Sequence, residues 1–435
     1  MAWPRPSIRR VAVNDALARR LGTADAVVIG LGSMIGAGVF SAFAPAAAAA
    51  GSGLLIGLGL AAGVAYCNAV ASAQLAAEYP TSGGTYVYGR ERLGEWWGFV
   101  AGWGFVVGKT ASCAAMALTF AWYAVPGSEW AQRLAAVLAV AALTAANYRG
   151  ITRTAGLSRL LVAASVLALV VVVLAIASSG DVHGDRLGGS GSLWSGGAYG
   201  VLQSAGLLFF AFAGYARIAT MGEEVRDPER TIPRAIPLAL GLAVLLYAAV
   251  GVTILLAAGP DAIAASVTPL ATAARLAGEA WAVPLVRVGA AVASLGALLA
   301  LIAGVGRTSL AMARNGDLPS RLAAVHPRYR VPGHAEVAVA LAVCVLVLTT
   351  DLRGAIGFSS FGVLTYYAIA NAAAYTQPAE LRRWPRALNV AGFLACLALV
   401  VSLPLSAVVA GLVVLAVGIS GRALLRKERP AEAAG

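Results

Sequence analysis

Lysine is almost absent from this chain: of 435 residues, only Lys109 and Lys427 carry an ammonium side chain. Histidine (three) and cysteine (four) are nearly as scarce. His183, His326 and His334 fall in polar connecting stretches, and Cys67, Cys113, Cys344 and Cys396 fall in apolar ones, none at metal-ligand or disulfide spacing. These shortages exclude a zinc module, a disulfide-stapled scaffold and a Ser/His or Cys/His catalytic set. The cysteines read as small buried hydrophobes. No glycine-rich loop ends in Gly-Lys-Ser/Thr; Gly108-Lys109-Thr110 has those letters without the loop. Neither an enzyme nor a cofactor nor a metal site is expected.

Charge is short as well, at 12% of residues against 60% hydrophobic. The apolar residues gather in twelve runs of the length that crosses a hydrocarbon core: 24–45, 52–74, 95–123, 130–147, 158–178, 198–220, 234–257, 282–305, 335–350, 356–376, 388–403 and 406–423. The chain therefore reads as an all-α polytopic membrane protein of about twelve transmembrane helices. The runs at 130–147, 335–350 and 388–403 are the shortest.

Arginines crowd before span 1 and into every second connection. Arg90 and Arg92 separate spans 2 and 3, Arg149 and Arg153 separate spans 4 and 5, and Arg226, Arg230 and Arg234 follow span 6. Arg307 to Arg330 follow span 8, Arg382, Arg383 and Arg386 follow span 10, and Arg422 and Arg426 follow span 12. The opposite connections hold few, such as Arg186, Arg275 and Arg353. The positive-inside rule then places both termini in the cytoplasm and the spans in the plasma (inner) membrane. A net charge of +12 is topology here, not a nucleic-acid footprint. Residues 1–21 lack an apolar core, so no cleavable signal is expected there.

Span 1 contains Gly30-Leu31-Gly32-Ser33-Met34-Ile35-Gly36-Ala37-Gly38, four glycines in nine residues. Each costs a helix interior about 1 kcal/mol relative to alanine. Freed backbone groups are tolerated in a bilayer only where they face protein or a cavity, so the tract predicts a helix interrupted at Ile35 to Gly38. The amides opening the second half-helix would suit a carboxylate. Close packing through Gly32-xxx-Gly36 is the competing reading. A dinucleotide loop fails, because no strand precedes it and the next acid is Glu78.

Span 6 holds a second weak point at Gly214, with Ala211 and Ala213 beside it. Opening there would free the carbonyls of Phe210, Ala211 and Ala213 for an ammonium group. Phe212 and Tyr215 would shape or gate the pocket. A continuous aromatic stripe is the alternative. Spans 1 and 6 begin two sets of five, and an odd number of crossings inverts the second. The expected divisions are a cytoplasmic tail (1–21), a first set (22–178), an external loop (179–197), a second set (198–376), two further spans (377–425) and a cytoplasmic tail (426–435).

Lys109 lies about 14 residues from either end of span 3, or about 21 Å along a helix, too deep to snorkel. A charge there faces the protein interior and marks a function, as a proton carrier or a fixed countercharge. A structural lysine held by helix-end carbonyls is the alternative. Ser294 in span 8 offers a single hydroxyl, which reads as a satisfied core polar group. Tyr366 and Tyr367 in span 10 are gate or interface candidates, and Glu223, Glu224, Asp227, Arg230 and Arg234 suggest ion pairs at the inner face.

Five segments in order carry a resemblance to the amino acid–polyamine–organocation (APC) superfamily. They are Gly32-Ser33-Met34-Ile35-Gly36-Ala37-Gly38-Val39-Phe40, Glu78-Tyr79-Pro80-Thr81-Ser82-Gly83-Gly84-Thr85-Tyr86, residues 209–214, residues 223–235 and residues 307–319. The resemblance implies a LeuT-like five-plus-five inverted repeat with two C-terminal helices and alternating access. It also implies an amino acid or related amine as substrate and a proton as coupling ion, by symport or, alternatively, exchange. It assigns the substrate to Ser33, Met34, Ile35, Gly36, Ala37 and Gly38 of span 1 and to Phe210, Ala211, Phe212, Ala213 and Gly214 of span 6. Tyr215, Glu224 and Tyr366 would gate. The span 5 lysine of some proton-coupled members is missing from Ala163-Ala164-Ser165-Val166-Leu167, so Lys109 is expected to replace it electrostatically. Acids that cationic transporters often carry are replaced by Gly108 and Ala216, which weakens a cationic substrate. A sensor that binds without transporting is the remaining class. The oligomeric state is not legible.

Overall fold

The computed structural model describes residues 21–80, 83–149, 155–180, 183–188, 194, 196–219, 221 and 224–432. The expected tail before residue 21, and the expectations for Thr81, Ser82, Arg153 and Glu223, lie outside these. Span 1 is built in three pieces: α1 (Thr23–Met34), α2 (Ala37–Ser41) and α3 (Phe43–Ala50). There follow α4 (Leu54–Glu78), α5 (Thr85–Leu93), α6 (Glu95–Ala124), α7 (Glu129–Tyr148), α8 (Ala155–Ser178) and the short α9 (Asp185–Gly188). Span 6 is α10 (Gly197–Phe212), a 3-10 turn (Ala213–Tyr215) and α11 (Ala216–Ala219). The remainder is α12 (Pro228–Ala264), α13 (Pro269–Leu276), α14 (Ala282–Arg314), α15 (Gly333–Thr349), α16 (Leu352–Tyr375), α17 (Arg386–Ser402) and α18 (Leu405–Glu432).

Twelve of these stretches match the twelve apolar runs, and no strand forms among the described residues. Seven helical stretches reach 18 residues with strong hydropathy, and Val162–Ser178, Gly333–Thr349 and Arg386–Ser402 are shorter apolar helices. The helices α7 and α16 complete the set. The only β-type contact described is an isolated bridge of Leu21 to Val225, which ties the foot of span 1 to the segment after span 6.

One connection differs from the sequence reading. The stretch after span 2, expected as an arginine-bearing loop, folds as α5 with Thr85, Tyr86, Tyr88 and Gly89 buried. Its aromatic residues find partners inside the protein. The Tyr88 hydroxyl donates to the Ala219 carbonyl (3.3 Å), and the Thr85 amide donates to the Tyr366 hydroxyl (3.0 Å). A segment whose polar atoms are satisfied this way need not run through water.

Span 3 sits at the centre. Its helix α6 packs against α16 backbone to backbone, because a Cβ at Gly108 would stand 3.1 Å from the Gly362 Cα. Small residues at facing positions are how membrane helices approach closely without a hydrophobic driving force. That register sets Lys109, one residue on, toward spans 1 and 6.

Candidate functional site

Span 1 unwinds at Ile35 (φ −79°, ψ 57°) and Gly36 (φ −103°, ψ −135°). Residues 34 to 47 are all buried. The Ile35 amide still donates to Leu31 (2.7 Å), and the Gly36 amide folds back to Met34 (2.8 Å). Free donors at the break therefore begin with Ala37 and Gly38, the first residues of α2, which has no side-chain cap. Ser33 turns its hydroxyl back to the Ile29 carbonyl (2.9 Å).

Span 6 does not open fully; it tightens into 3-10 geometry at Ala213 to Tyr215 before α11 resumes. Such tightening leaves carbonyls without α-helical partners. The two breaks touch. A Cβ on Gly38 would stand 2.6 Å from the Ala211 Cα, and one on Gly214 would overlap the Ser33 carbonyl. Glycine is needed at both crossings because each lets one backbone lie on the other.

Two of the three span 6 carbonyls singled out from sequence are already engaged. Lys109, 6% exposed, donates from Nζ to the Ala213 carbonyl at 3.1 Å. The Tyr247 hydroxyl lies 3.0 Å from the Ala211 carbonyl and 2.7 Å from that of Met34. A single hydroxyl donates one proton, so the two carbonyls share it. Tyr247, on α12, was not legible as a site residue; its only sequence signal is a tyrosine within an otherwise aliphatic run. On α6, Tyr123 similarly donates to Phe40 in α2 (2.9 Å).

The remaining expected residues gather around this crossing. Phe212 packs on Tyr247 with ring centroids 5.0 Å apart, and Tyr215 stacks on Tyr367 at 5.1 Å. Tyr366 packs against Tyr367 and Phe105 and reaches α5 through Thr85. Ser294 is buried on α14, whose Ala297 presses on Gly36. Glu224 pairs with Arg217 at 3.1 Å, whereas Asp227, Arg230 and Arg234 form no ion pair among the described residues. Asp227 instead turns the chain into α12 at φ 49°.

A second polar centre lies at the arginine-rich side. Asp317, fully buried just beyond α14, accepts from Arg422 Nε (2.7 Å), Tyr86 Oη (2.8 Å) and Arg90 (3.3 Å). Glu95 joins through Arg90 (2.8 Å) and Arg426. Arg422 is itself buried, with its guanidinium over Trp96 (4.2 Å) and Phe99 (5.0 Å). Burial and the hydrogen bond to Asp317 push the Tyr86 phenol up to about 12, so it remains a donor throughout the physiological range. The sequence counted Arg90, Arg422 and Arg426 as topology markers; the structure makes three of them one network.

An interrupted pair of helices with backbone poles, embedded in a twelve-helix bundle, suits a small solute better than a reaction. Comparison with known proteins agrees. The profile of the amino acid permease family matches residues 21–422. An uncharacterized transporter of Mycobacterium tuberculosis is 58% identical over 416 residues, covering 95% of this chain and 93% of its own length. The branched-chain amino acid permease of Bacillus subtilis is 28% identical over 73% of this chain and 72% of its own. Cationic amino acid transporter 7, chloroplastic, of Arabidopsis thaliana is 26% identical over 86% of this chain and 69% of its own. On the broken helices, their contact and the match along nearly the whole chain, the protein belongs to the amino acid permease family of the APC superfamily.

Proposed function

We propose that the protein is a secondary active permease that moves an amino acid or related amine across the plasma membrane by alternating access, coupled to protons through Lys109, with both termini in the cytoplasm. The observation that carries this reading is the Lys109 Nζ on the Ala213 carbonyl, at the contact of the two interrupted helices. In it the substrate carboxylate rests on the amides of Ala37 and Gly38, where the opening turn of a helix favours negative charge. The substrate ammonium takes the Phe210 carbonyl, the one of the three that Lys109 and Tyr247 leave open, and Tyr215, Glu224 and Tyr366 gate access.

Lys109 bears on substrate charge as well. With Lys109 and the substrate's own ammonium both near the carbonyl pole, a further cation on the substrate side chain is disfavoured, and Gly108 and Ala216 supply no acid to offset it. Neutral side chains fit this better than cationic ones, so the branched-chain permease is the nearer guide among the relatives.

Proton symport is the mode we assign. Exchange of one substrate for another is the second reading, favoured by the capping role of Lys109, since a lysine that keeps its charge throughout the cycle cannot carry a proton. Purified protein in liposomes, loaded with each of the twenty amino acids and several polyamines in competition and with or without an imposed pH gradient, decides between them. Gradient-driven accumulation of a neutral amino acid supports symport. Uptake that needs internal substrate and ignores the gradient supports exchange. Uptake of another solute with no competition from this panel would overturn the substrate class.

A further inference from the structure

Away from the interrupted helices, α7 and α15 leave a groove of about 530 Å³ between them, within the usual size of a small-molecule site. Its floor and walls are apolar, formed by Ala141, Ala145, Val337, Ala340 and Leu341. Thr144 also lines it, but its hydroxyl is spent on the Val140 carbonyl at 2.7 Å. Leu138 on α7 and Leu341 and Val345 on α15 are about 60% exposed on the flanks, which makes this face one that meets acyl chains. The groove therefore opens sideways into the bilayer rather than toward the site of spans 1 and 6.

One end is different in kind. Arg149, exposed at the last turn of α7, lines the groove together with Tyr148 and Tyr329. The His326 ring lies 5.3 Å from that of Tyr148 and 4.8 Å from that of Tyr329. The Arg328 guanidinium sits over Tyr329, 5.4 Å from its centroid. Gly333, the first residue of α15, packs directly on Tyr148 and holds the aromatic end in place. Among the described residues no acid lines the groove. The result is an apolar channel running up to a cationic, aromatic mouth at the arginine-rich side, at the depth where headgroups lie.

We propose that this groove is a binding site for one anionic phospholipid, with an acyl chain along the Ala141–Ala145–Ala340 floor and the phosphate between Arg149 and Arg328. Free phosphate would leave the apolar floor empty. A zwitterionic lipid would bring its own cation against two arginines. Basic pockets between membrane helices on the inner side hold anionic headgroups, and each arginine near the surface is worth roughly fivefold in affinity. The site is independent of the substrate reading, since none of its lining residues lies on spans 1 or 6.

The test uses the full chain, purified in detergent, with native mass spectrometry counting retained phosphatidylglycerol against phosphatidylcholine. The wild type should retain one phosphatidylglycerol preferentially. Arg149→Gln with Arg328→Gln should erase that preference, by roughly twentyfold or more. Ala145→Phe, at an exposed position that tolerates bulk, should fill the floor and reduce retention of the lipid severalfold. Arg321→Gln, on the same side but outside the groove, should leave the preference intact. Phosphatidylglycerol retained equally by the double variant or by Ala145→Phe would overturn the site, as would complete displacement by millimolar inorganic phosphate. A preference lost equally in Arg321→Gln would show only a diffuse surface charge and overturn it too.

Discussion

Lys109 and Ala213 meet 3.1 Å apart, a lysine midway along span 3 donating to a main-chain carbonyl of span 6. Among the described residues no carboxylate shares the contact, so the ammonium is held by backbone dipoles in the turn where span 6 tightens. A lysine placed this way is sensitive to any movement of span 6.

Replacing Lys109 with methionine keeps the volume and removes the charge. In liposomes the response of uptake to an inward proton gradient should disappear, with the coupled rate falling about tenfold or more, since a hydrogen bond to a charged group is worth about 1.5–3 kcal/mol. Lys109→Arg should keep the fold and fail to restore coupling, because guanidinium does not release its proton. Undiminished gradient-driven uptake in Lys109→Met would remove the residue from the coupling mechanism.

Tyr247 ties the carbonyls of Met34 and Ala211 together with one hydroxyl. Tyr247→Phe retains the ring contact with Phe212 and leaves two buried carbonyls short of a donor. A loss of about 1–3 kcal/mol in stability is expected, read as a lowered thermal midpoint in detergent, together with a slower transport cycle. Unchanged melting and rate would mean that the bridge contributes nothing.

Glycine at the crossings can be separated from glycine elsewhere. Gly214→Ala drives a methyl into the Ser33 carbonyl, and Gly38→Ala one into Ala211, so both should abolish uptake. Gly63→Ala, in α4 with nothing within 4 Å of the added carbon, should transport normally and gain up to about 1 kcal/mol. Initial uptake rates normalised to membrane-inserted protein distinguish these outcomes.

At the arginine-rich side, Asp317→Asn removes the charge from a fully buried partner of Arg422. The stranded guanidinium should cost about 3–5 kcal/mol. Pairing that change with Arg422→Met should recover most of the loss, since the remaining arginines, Arg90 and Arg426, can still pair with Glu95. Chemical denaturation of the two variants side by side checks the recovery.

The runs that became helices were legible because in a bilayer the backbone must satisfy itself, and apolar length alone reports a crossing. Even the short runs 130–147, 335–350 and 388–403 appear as α7, α15 and α17, displaced by a residue or two at their ends. The break at Ile35 and Gly36 was legible for the same reason, because clustered glycine has few uses inside a membrane helix. What escaped was set by partners distant in sequence. Nothing local marks Tyr247 as the donor between two broken helices, or Asp317 as the hub of arginines drawn from two distant helices, α5 and α18. The fold of α5 escaped because the hydroxyl partners of its tyrosines lie far along the chain, on span 6 and beyond α14.

The Asp317–Arg422 pair also sets an order of assembly. Arg422 is made 105 residues after Asp317, and it comes from the last helix of the chain. Without α18, the acid beyond α14 lacks its closest cation. Helix α18 therefore supplies the residue that completes this buried network. A chain that stops short of residue 422 would leave the buried Asp317 without its nearest cation, even with spans 1 and 6 already in place.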